Sequence, residues 1–327
     1  MISSPAPLYE DVAGGPAGGK AHWLTTADDT RIRVGHWLPE QDAIGTVLLF
    51  PGRTEYIEKY GDAAGEFIDR GFAVLAIDWR GQGMADRLLD DPRKGHVADF
   101  TDYQHDVRAA LELAEQLDLP KPWHVLGHSM GGAIGLRAVL ENDSFASCAF
   151  TGPMWGIYFS PIMKPLSWMT AYWGPRFGLG EKTPPTTSLE SYVMTAPFDG
   201  NVLTRDPDMF QMMKDQLTAY PDLALGAPST IWLREALDEC SWLMEQNAPD
   251  TPCLTYLGSH EQIVDRYAIR TRMANWPKGK LVEIPEGEHE VLMEAPDVRG
   301  PVFDALATHF QTALSVKAGS PCNRKKS

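Results

Sequence analysis

Short apolar runs alternate with segments of helical periodicity along much of the sequence. Apolar side chains recur at helical spacing over residues 59–70, 99–117, 129–142, 264–274 and 298–314. The apolar runs between them occupy residues 46–50, 72–78, 123–127, 146–152, 252–258 and 280–285. Strands that are apolar throughout are typical of a parallel sheet covered on both faces. We therefore predict an α/β fold with a mostly parallel central sheet and helices on both faces, preceded by a hairpin at residues 22–39.

The alternation stops between residues 153 and 248. This stretch is rich in Pro, Trp, Met and Tyr, shows short helical patterns, and lies between two predicted strands. We interpret 153–248 as a mainly helical cap inserted into a core of residues 21–152 and 249–314. The Gly-, Pro- and Ala-rich residues 1–20 are expected to form a flexible N-terminal arm, and residues 315–327 a disordered tail.

Composition limits the partners and the cellular location. The chain has 327 residues and a net charge of -15, which disfavours binding to nucleic acid. The N-terminus lacks the pattern of a signal peptide, and no run approaches the ~18 apolar residues of a membrane span. The four cysteines are far apart and lack a CxxC spacing. We therefore expect free thiols, a cytoplasmic location and no stable membrane insertion; the oligomeric state is left open.

Neither a cofactor nor a metal is expected. The Gly-rich stretch DWRGQGMADR at residues 78–87 follows a predicted strand but lacks the spacing of a nucleotide-binding loop. The sequence also contains no group of His, Cys, Asp and Glu with metal-ligand spacing. A structural role at the mouth of the site is the simpler interpretation of this loop.

A single serine stands between glycines where a strand passes directly into a helix. The stretch VLGHSMGG places Ser129 between Gly127 and Gly131. A turn this sharp strains the backbone of its central residue and needs small neighbours, and it raises the hydroxyl above the sheet edge. In this strand–turn–helix context the pattern predicts that Ser129 is a nucleophile.

A nucleophilic serine needs a base and an acid that orients the base. His289 lies in a loop directly after the strand at residues 280–285, so it is the predicted base, whereas His309 falls within the last helix. The acid must follow the strand at residues 252–258. Glu261 is the first choice because it is closer to the strand end, and Asp265 is the alternative.

The negative charge of an acyl-transfer intermediate needs two backbone N–H donors. One is predicted to be that of Met130, directly after the serine. The other is predicted to be that of Arg53, in the loop after the strand at residues 46–50, where Gly52 permits close approach.

At this point the chain resembles the α/β-hydrolase superfamily, and more closely its serine hydrolases of the lysophospholipase L2 and monoacylglycerol lipase type. The resemblance rests on the stretches LLFPGRTEYIEKY, VLAIDWRGQGMADR, GHSMGG, GSHEQIVD and GEHEVLME. It implies an α/β-hydrolase fold, with Ser129 as nucleophile, His289 as base, and Arg53 and Met130 as donors to the oxyanion. The family usually has aspartate at the position of Glu261, which keeps Asp265 under consideration.

The resemblance also implies hydrolysis of carboxylic esters, namely those of mono-acyl lipids such as a lysophospholipid or monoacylglycerol. Met and aromatic side chains of residues 154–177 are expected to supply part of an acyl-chain pocket. The predicted substrate-binding residues are Gly52, His128, Trp155, Tyr158 and Phe159.

Two alternatives and one form of contact stay open at this stage. A carbon–carbon bond hydrolase or a perhydrolase would use the same three catalytic residues, and a non-catalytic protein could bind hydrophobic ligands on the same scaffold. Transient contact with a membrane surface is also left open.

Overall fold

The computed structural model describes residues 3–185 and 187–318. Its nine strands are β1 Ser4–Ala6, β2 Lys20–Thr25, β3 Arg31–Trp37, β4 Thr46–Phe50, β5 Ala73–Asp78, β6 Trp123–His128, β7 Phe145–Thr151, β8 Cys253–Gly258 and β9 Gly279–Ile284. Its α-helices are α1 Glu10–Ala13, α2 Gly61–Asp69, α3 Tyr103–Gln116, α4 Met130–Glu141, α5 Lys164–Trp173, α6 Tyr192–Thr195, α7 Pro207–Ala219, α8 Thr230–Glu245, α9 Arg266–Ala274 and α10 Pro296–Ala318.

All nine strands form one sheet in the order β1-β2-β3-β5-β4-β6-β7-β8-β9. Strands β4 to β9 run parallel to one another, whereas β1, β2 and β3 pair antiparallel at one side of the sheet. The predicted mostly parallel sheet is confirmed. Every residue of β4, β5, β6 and β7 is buried, as expected for strands covered on both faces.

Two apolar cores lie on opposite faces of the sheet. Side chains alternate between them along each strand, so that Leu48 and Phe50 of β4 enter one core while Val47 and Leu49 enter the other. The first core packs against α3, α4, α8 and α9. The second packs against α2 and α10. The central strands therefore hold their C-terminal ends rigidly, and the loops that carry the candidate site start there.

Part of the stretch predicted to be a flexible arm at residues 1–20 is held against the core. Ser4–Ala6 pairs with β2 and extends the sheet by one strand. The Pro7 carbonyl then accepts a hydrogen bond from Arg33 at 2.9 Å, and the Tyr9 N–H donates to Glu58 at 3.2 Å. The otherwise unpaired edge of β2 and a buried charged group thus hold the arm in place.

Helices α5 to α8 lie between β7 and β8, within the stretch predicted to be an insertion. None of the helices in residues 3–185 and 187–318 combines the length and the apolar character needed to cross a membrane. The predicted tail also differs in part, because α10 continues through Ala318. Residues 319–327 of that tail lie outside the described residues.

Arg33 should contribute strongly to stability, because its guanidinium forms ion pairs with Glu58 and Asp78 while all three side chains are 0% exposed. Arg33→Met leaves two buried carboxylates without their cation. We expect the free energy of unfolding, measured by urea denaturation, to fall by about 3–5 kcal/mol.

Arg270→Met is the matched control, because the ion pair of Arg270 with Glu283 is solvent-exposed. Losing such a pair costs about 0–1 kcal/mol. Equal losses in the two variants would contradict the assigned role of the buried group.

Candidate active site

The turn at Ser129 joins β6 to α4 in a conformation that L-residues rarely adopt. Ser129 has φ 50° and ψ -118°, and holding a residue other than glycine in such a region costs about 1–3 kcal/mol. Its N–H donates to the Thr151 carbonyl at 3.1 Å, and its carbonyl accepts from the N–H groups of Gly132 and Met154, each at 2.8 Å. These bonds hold the strained residue from both sides.

The glycines around the serine are needed because other backbone passes too close for a side chain. A Cβ on Gly127 would lie 2.6 Å from the Gly131 carbonyl oxygen, and one on Gly131 would overlap the Phe50 carbonyl oxygen. A Cβ on Gly132 would lie 2.5 Å from that of Pro153. The spacing seen in the sequence thus has a direct steric cause.

The two predicted oxyanion donors follow two neighbouring strands, β4 and β6. Met130 is the first residue of α4, so its N–H is among those that have no acceptor within the helix. Arg53 follows β4, which pairs with β6. Gln82 fixes the Arg53 loop by donating to the carbonyls of Gly52 at 2.8 Å and Glu55 at 3.1 Å.

His289 and Glu261 form a direct hydrogen bond in the buried interior. The Nδ1–H of His289 donates to Glu261 Oε2 at 2.6 Å, and the two residues are 3% and 2% exposed. The other carboxylate oxygen accepts from the N–H groups of Ile263 at 2.6 Å and Val264 at 3.1 Å. Both oxygens of the carboxylate are therefore satisfied, and the imidazole is held in one orientation.

Asp265 and His309 lie elsewhere. The Asp265 carboxylate accepts from the N–H groups of Tyr267 at 2.8 Å and Ala268 at 3.4 Å, which makes it the N-cap of α9. His309 lies on α10, where its Nε2 is 3.0 Å from the Cys148 carbonyl. Of the two acids considered from the sequence, the structure pairs Glu261 with His289.

Opposing effects set the pKa of Glu261. Burial alone would raise this pKa, but the His289 ring and the two N–H donors stabilise the ionised carboxylate, so the pKa is lowered. The ionised carboxylate accepts the Nδ1–H of His289 at neutral pH. The Nε2 atom is then the nitrogen that can accept a proton.

Gly152 makes room for this pair, and the sequence analysis did not identify it. It follows β7 with φ 48°, and a Cβ there would lie 3.0 Å from His289 Nδ1 and 3.1 Å from Glu261 Oε2. A glycine as the last residue of the predicted strand at residues 146–152 was the available signal.

A buried charged group beneath the site also escaped the sequence analysis. The Lys59 ammonium is 2.5 Å from a Glu55 oxygen and 2.6 Å from a Glu290 oxygen. His128 Nε2 is 3.2 Å from the other Glu290 oxygen, and its ring centroid is 4.7 Å from that of His289. The four-residue spacing of Glu55 and Lys59 was a signal for one part of this group.

The charges in this group stabilise one another. Burial alone would lower the pKa of His128, but the carboxylates of Glu290 and Glu55 outweigh it, and the pKa is raised. Burial likewise opposes ionisation of Glu290, yet His128 and Lys59 hold its pKa well below the usual range. Because Glu290 directly follows His289, these bonds anchor the loop that carries His289.

The same group is the candidate for a metal site. Glu55, His128 and Glu290 offer three ligand atoms within 4.8 Å of one another. The Lys59 ammonium, however, already pairs with both carboxylates. We therefore assign these carboxylates to a salt bridge.

A cavity of about 560 Å³ opens beside the serine. Ser129 and His289 both line it. Much of the remaining lining is apolar and comes from the segment between β7 and β8 and from the loop before α9, including Met154, Ile157, Val193, Val202, Leu225 and Ile263. Its size and apolar lining are those of a small-molecule pocket.

The five predicted substrate-binding residues lie outside the lining of this cavity. Trp155 is fully buried, packs between Phe150 and Trp276, and donates to the Gly132 carbonyl at 3.1 Å. Phe159 packs beside α5 and α8. Trp155 and Phe159 therefore cover apolar core rather than ligand space.

Tyr158, Gly52 and His128 lie outside the cavity lining for different reasons. Tyr158 is 50% exposed, and its N–H is bound to the Ile263 carbonyl. Gly52 donates its N–H to Glu55. His128 points into the buried charged group, where its Nδ1 is 2.9 Å from the Thr151 hydroxyl.

Comparison with known proteins places this geometry in context. The family described as "Serine aminopeptidase, S33" matches residues 41–296. Lysophospholipase L2 of Escherichia coli strain K12 is 32% identical over 88% of this chain and 86% of its own length. Monoglyceride lipase of Rattus norvegicus is 25% identical over 91% of this chain and 92% of its own.

A solved structure agrees with the fold. A soluble variant of monoglyceride lipase from Saccharomyces cerevisiae, in complex with a substrate analogue, superimposes with a TM-score of 0.68 at 19% identity. The match covers 89% of this chain and 94% of that one. The predicted α/β-hydrolase fold is confirmed. The chain therefore belongs to the serine aminopeptidase S33 family and is an ester hydrolase of the lysophospholipase and monoglyceride lipase type.

Proposed function

We propose that Ser129, His289 and Glu261 form a catalytic triad that hydrolyses the carboxylic ester of a mono-acyl lipid. One observation carries the proposal. The strained serine lines the same apolar cavity as His289, whose Nδ1 is held by Glu261 at 2.6 Å.

The proposed reaction assigns one step to each of these groups. His289 Nε2 takes the Ser129 proton as Oγ attacks the ester carbonyl, and Glu261 stabilises the imidazolium that forms. The N–H groups of Arg53 and Met130 stabilise the oxyanion, each contributing about 3 kcal/mol. His289 returns the proton to the leaving alcohol, and the acyl group stays on the serine. Water activated by His289 then releases the fatty acid.

The cavity and the relatives support a lipid as the substrate. A volume of about 560 Å³ with mainly apolar walls suits an acyl chain. The relatives include a lysophospholipase L2 and a monoglyceride lipase. In this proposal residues 153–248 act as the cap that shields the reacting ester from water, and the core comprises residues 21–152 and 249–314. The cytoplasmic location stays a prediction.

The outer face of the cap carries exposed apolar side chains that suit a lipid surface. Ile162 is 89% exposed, Phe177 74% and Trp173 55%. Side chains of this kind insert at the boundary between headgroups and acyl chains. The contact would be transient, because the net charge of -15 gives no electrostatic attraction to anionic lipid.

Replacing the nucleophile tests the first step. Ser129→Ala should lower kcat for p-nitrophenyl esters about a thousandfold or more, because no acyl-enzyme can form. A fluorophosphonate should label Ser129 in the wild type, as located by mass spectrometry. Ser188→Ala is the control, since Ser188 also lines the cavity. Unchanged turnover in Ser129→Ala would reject Ser129 as the nucleophile. No turnover by the wild type together with an unlabelled Ser129 would favour a ligand-binding protein instead.

The two acids can be separated by neutral variants. Glu261→Gln should reduce kcat about 10²- to 10⁴-fold, because an amide no longer enforces the Nδ1–H form of His289. Asp265→Asn should keep most activity and lose at most about 1 kcal/mol of stability through weaker capping of α9. A comparable kcat loss in Asp265→Asn would overturn the choice of Glu261.

The lowered pKa of Glu261 predicts a pH-dependent stability difference. A carboxyl whose pKa is lower in the folded state stabilises the protein above the unfolded pKa, about 4.3 for glutamate. We expect the wild type to exceed Glu261→Gln in free energy of unfolding at pH 7. The difference should decline as the pH falls below about 4.3 towards the folded pKa. Urea denaturation at several pH values measures it, and a difference that grows in acid would refute the assignment.

A further inference from the structure

The Arg53 side chain is a cation that lines the cavity without an acidic partner. In the part of the chain that the structure describes, no carboxylate lies within 4.0 Å of its guanidinium. Its Nη2 donates to the Gly226 carbonyl at 2.5 Å, and its Cζ is 5.1 Å from the centre of the Trp232 ring. Its Nε is buried and has no acceptor.

Three of the four buried arginines among the described residues are neutralised. Arg33, Arg80 and Arg137 each pair with buried carboxylates at 2.6–2.8 Å. Arg272 also has buried nitrogens without acceptors, but it lies in the last turn of α9, where the helix dipole favours a cation. Arg53 differs because it is unpaired and lines the cavity beside Ser129.

The electrostatic consequence is an incompletely satisfied charge in the substrate cavity. Burial lowers the pKa of Arg53 to about 10, and no nearby carboxylate offsets that effect. The guanidinium stays ionised at neutral pH. An anionic group of a ligand in the cavity would be attracted to this guanidinium, because no protein carboxylate neutralises it.

The surroundings hold this guanidinium in place. A Cβ on Gly95 would lie 2.8 Å from Arg53 Nη2 and 3.2 Å from Nε, so the glycine is needed for the side chain to fit. Gly95 is itself fixed, since its N–H donates to Ala227 at 3.1 Å and its carbonyl accepts from Ser229 at 2.7 Å. A rigid, pre-organised cation loses little entropy on binding an anion.

The reach of Arg53 matches the layout of a lysophospholipid. The backbone N–H of Arg53 is the proposed donor to the ester oxyanion, so its side chain starts where the ester carbonyl binds. In a lysophospholipid, the glycerol backbone separates the ester from the phosphate by a length similar to an arginine side chain. In a monoacylglycerol the same position carries an uncharged hydroxyl. Three acids also line this cavity, namely Glu55, Glu190 and Glu290. Glu190 is exposed, Glu55 and Glu290 are paired with Lys59, and none of the three lies within 4.0 Å of the Arg53 guanidinium.

We propose that the Arg53 guanidinium binds the phosphodiester of a lysophospholipid and so selects it over a monoacylglycerol. This inference rests on the proposed function, because it takes the ester to lie between Ser129 and the Arg53 loop. The planar guanidinium suits phosphate oxygens, which a single N–H donor would bind less well.

The test compares two esters that share the acyl glycerol and differ in one phosphoglycerol group. Wild type, Arg53→Met and Arg53→Lys are assayed with 1-octanoyl lysophosphatidylglycerol and 1-octanoyl glycerol. The ratio of kcat/KM for the phospholipid to that for the monoacylglycerol should fall about 10- to 100-fold in Arg53→Met, mainly through KM. The ratio for Arg53→Lys should lie between those of the wild type and Arg53→Met, since lysine keeps the charge but lacks the planar set of N–H donors of a guanidinium.

The ratio separates recognition from structural damage. Both substrates use the Arg53 N–H, so damage to that loop lowers both rates and cancels in the ratio. Arg93→Met removes a nearby exposed charge (61% exposed) and should leave the ratio unchanged. An unchanged ratio in Arg53→Met, with both esters hydrolysed, overturns the inference and leaves the proposed function intact.

Binding in the Ser129→Ala background makes the test independent of turnover. Tryptophan fluorescence should report about 10- to 100-fold weaker binding of the octanoyl lysophospholipid when Arg53→Met is added. Equal affinity with and without Arg53→Met would overturn the inference, whether or not the wild type hydrolyses either ester. If the wild type hydrolysed neither ester, that result would separately reject the proposed function. Inorganic phosphate is the second ligand: if it binds as tightly as the lipid, the site recognises free phosphate and the lipid assignment fails.

Discussion

The strained turn at Ser129 is the constraint on which the rest of the site depends. A φ of 50° at a serine persists only because surrounding bonds leave it no alternative. Backbone at the start of α4 and at the end of β4 approaches so closely that only glycine fits at positions 127 and 131. The parallel strands are buried and paired on both sides, so they can hold these contacts. The sheet therefore serves as the support for one hydroxyl at the wall of the cavity.

The histidine loop is held by charge rather than by strand pairing. Glu290 follows His289 directly and is tied to Lys59 at 2.6 Å, and Lys59 is tied to Glu55. Glu55 in turn accepts the Gly52 N–H in the loop that carries Arg53. One buried network thus links the histidine loop to the proposed oxyanion loop. Opposite charges in this network stabilise one another, which lowers the free-energy cost of burying them.

Periodicity and local motifs could predict the fold class, the serine turn and the loop of His289, because each has a short-range signal. The strand at Ser4–Ala6 could not be predicted, because three residues carry no periodicity and pairing depends on the distant edge of β2. Choosing between Glu261 and Asp265 needed the fold, since both follow β8 within one loop. Trp155 was misjudged because an apolar side chain in an insertion can face either ligand or core, and here it faces the core.

The two roles proposed for Arg53 belong to different parts of the residue. Its backbone N–H lies in the loop after β4, where the fold requires a donor whatever the side chain, so the donor role was open to sequence analysis. Its side chain has a role only through contacts with Gly226 and Trp232, which lie more than a hundred residues away in the insertion. The core of the fold thus provides the chemistry shared by ester hydrolysis. If the Arg53 guanidinium binds the phosphate as proposed, contacts from the insertion determine which charge faces the leaving group, and substrate selection depends on that charge.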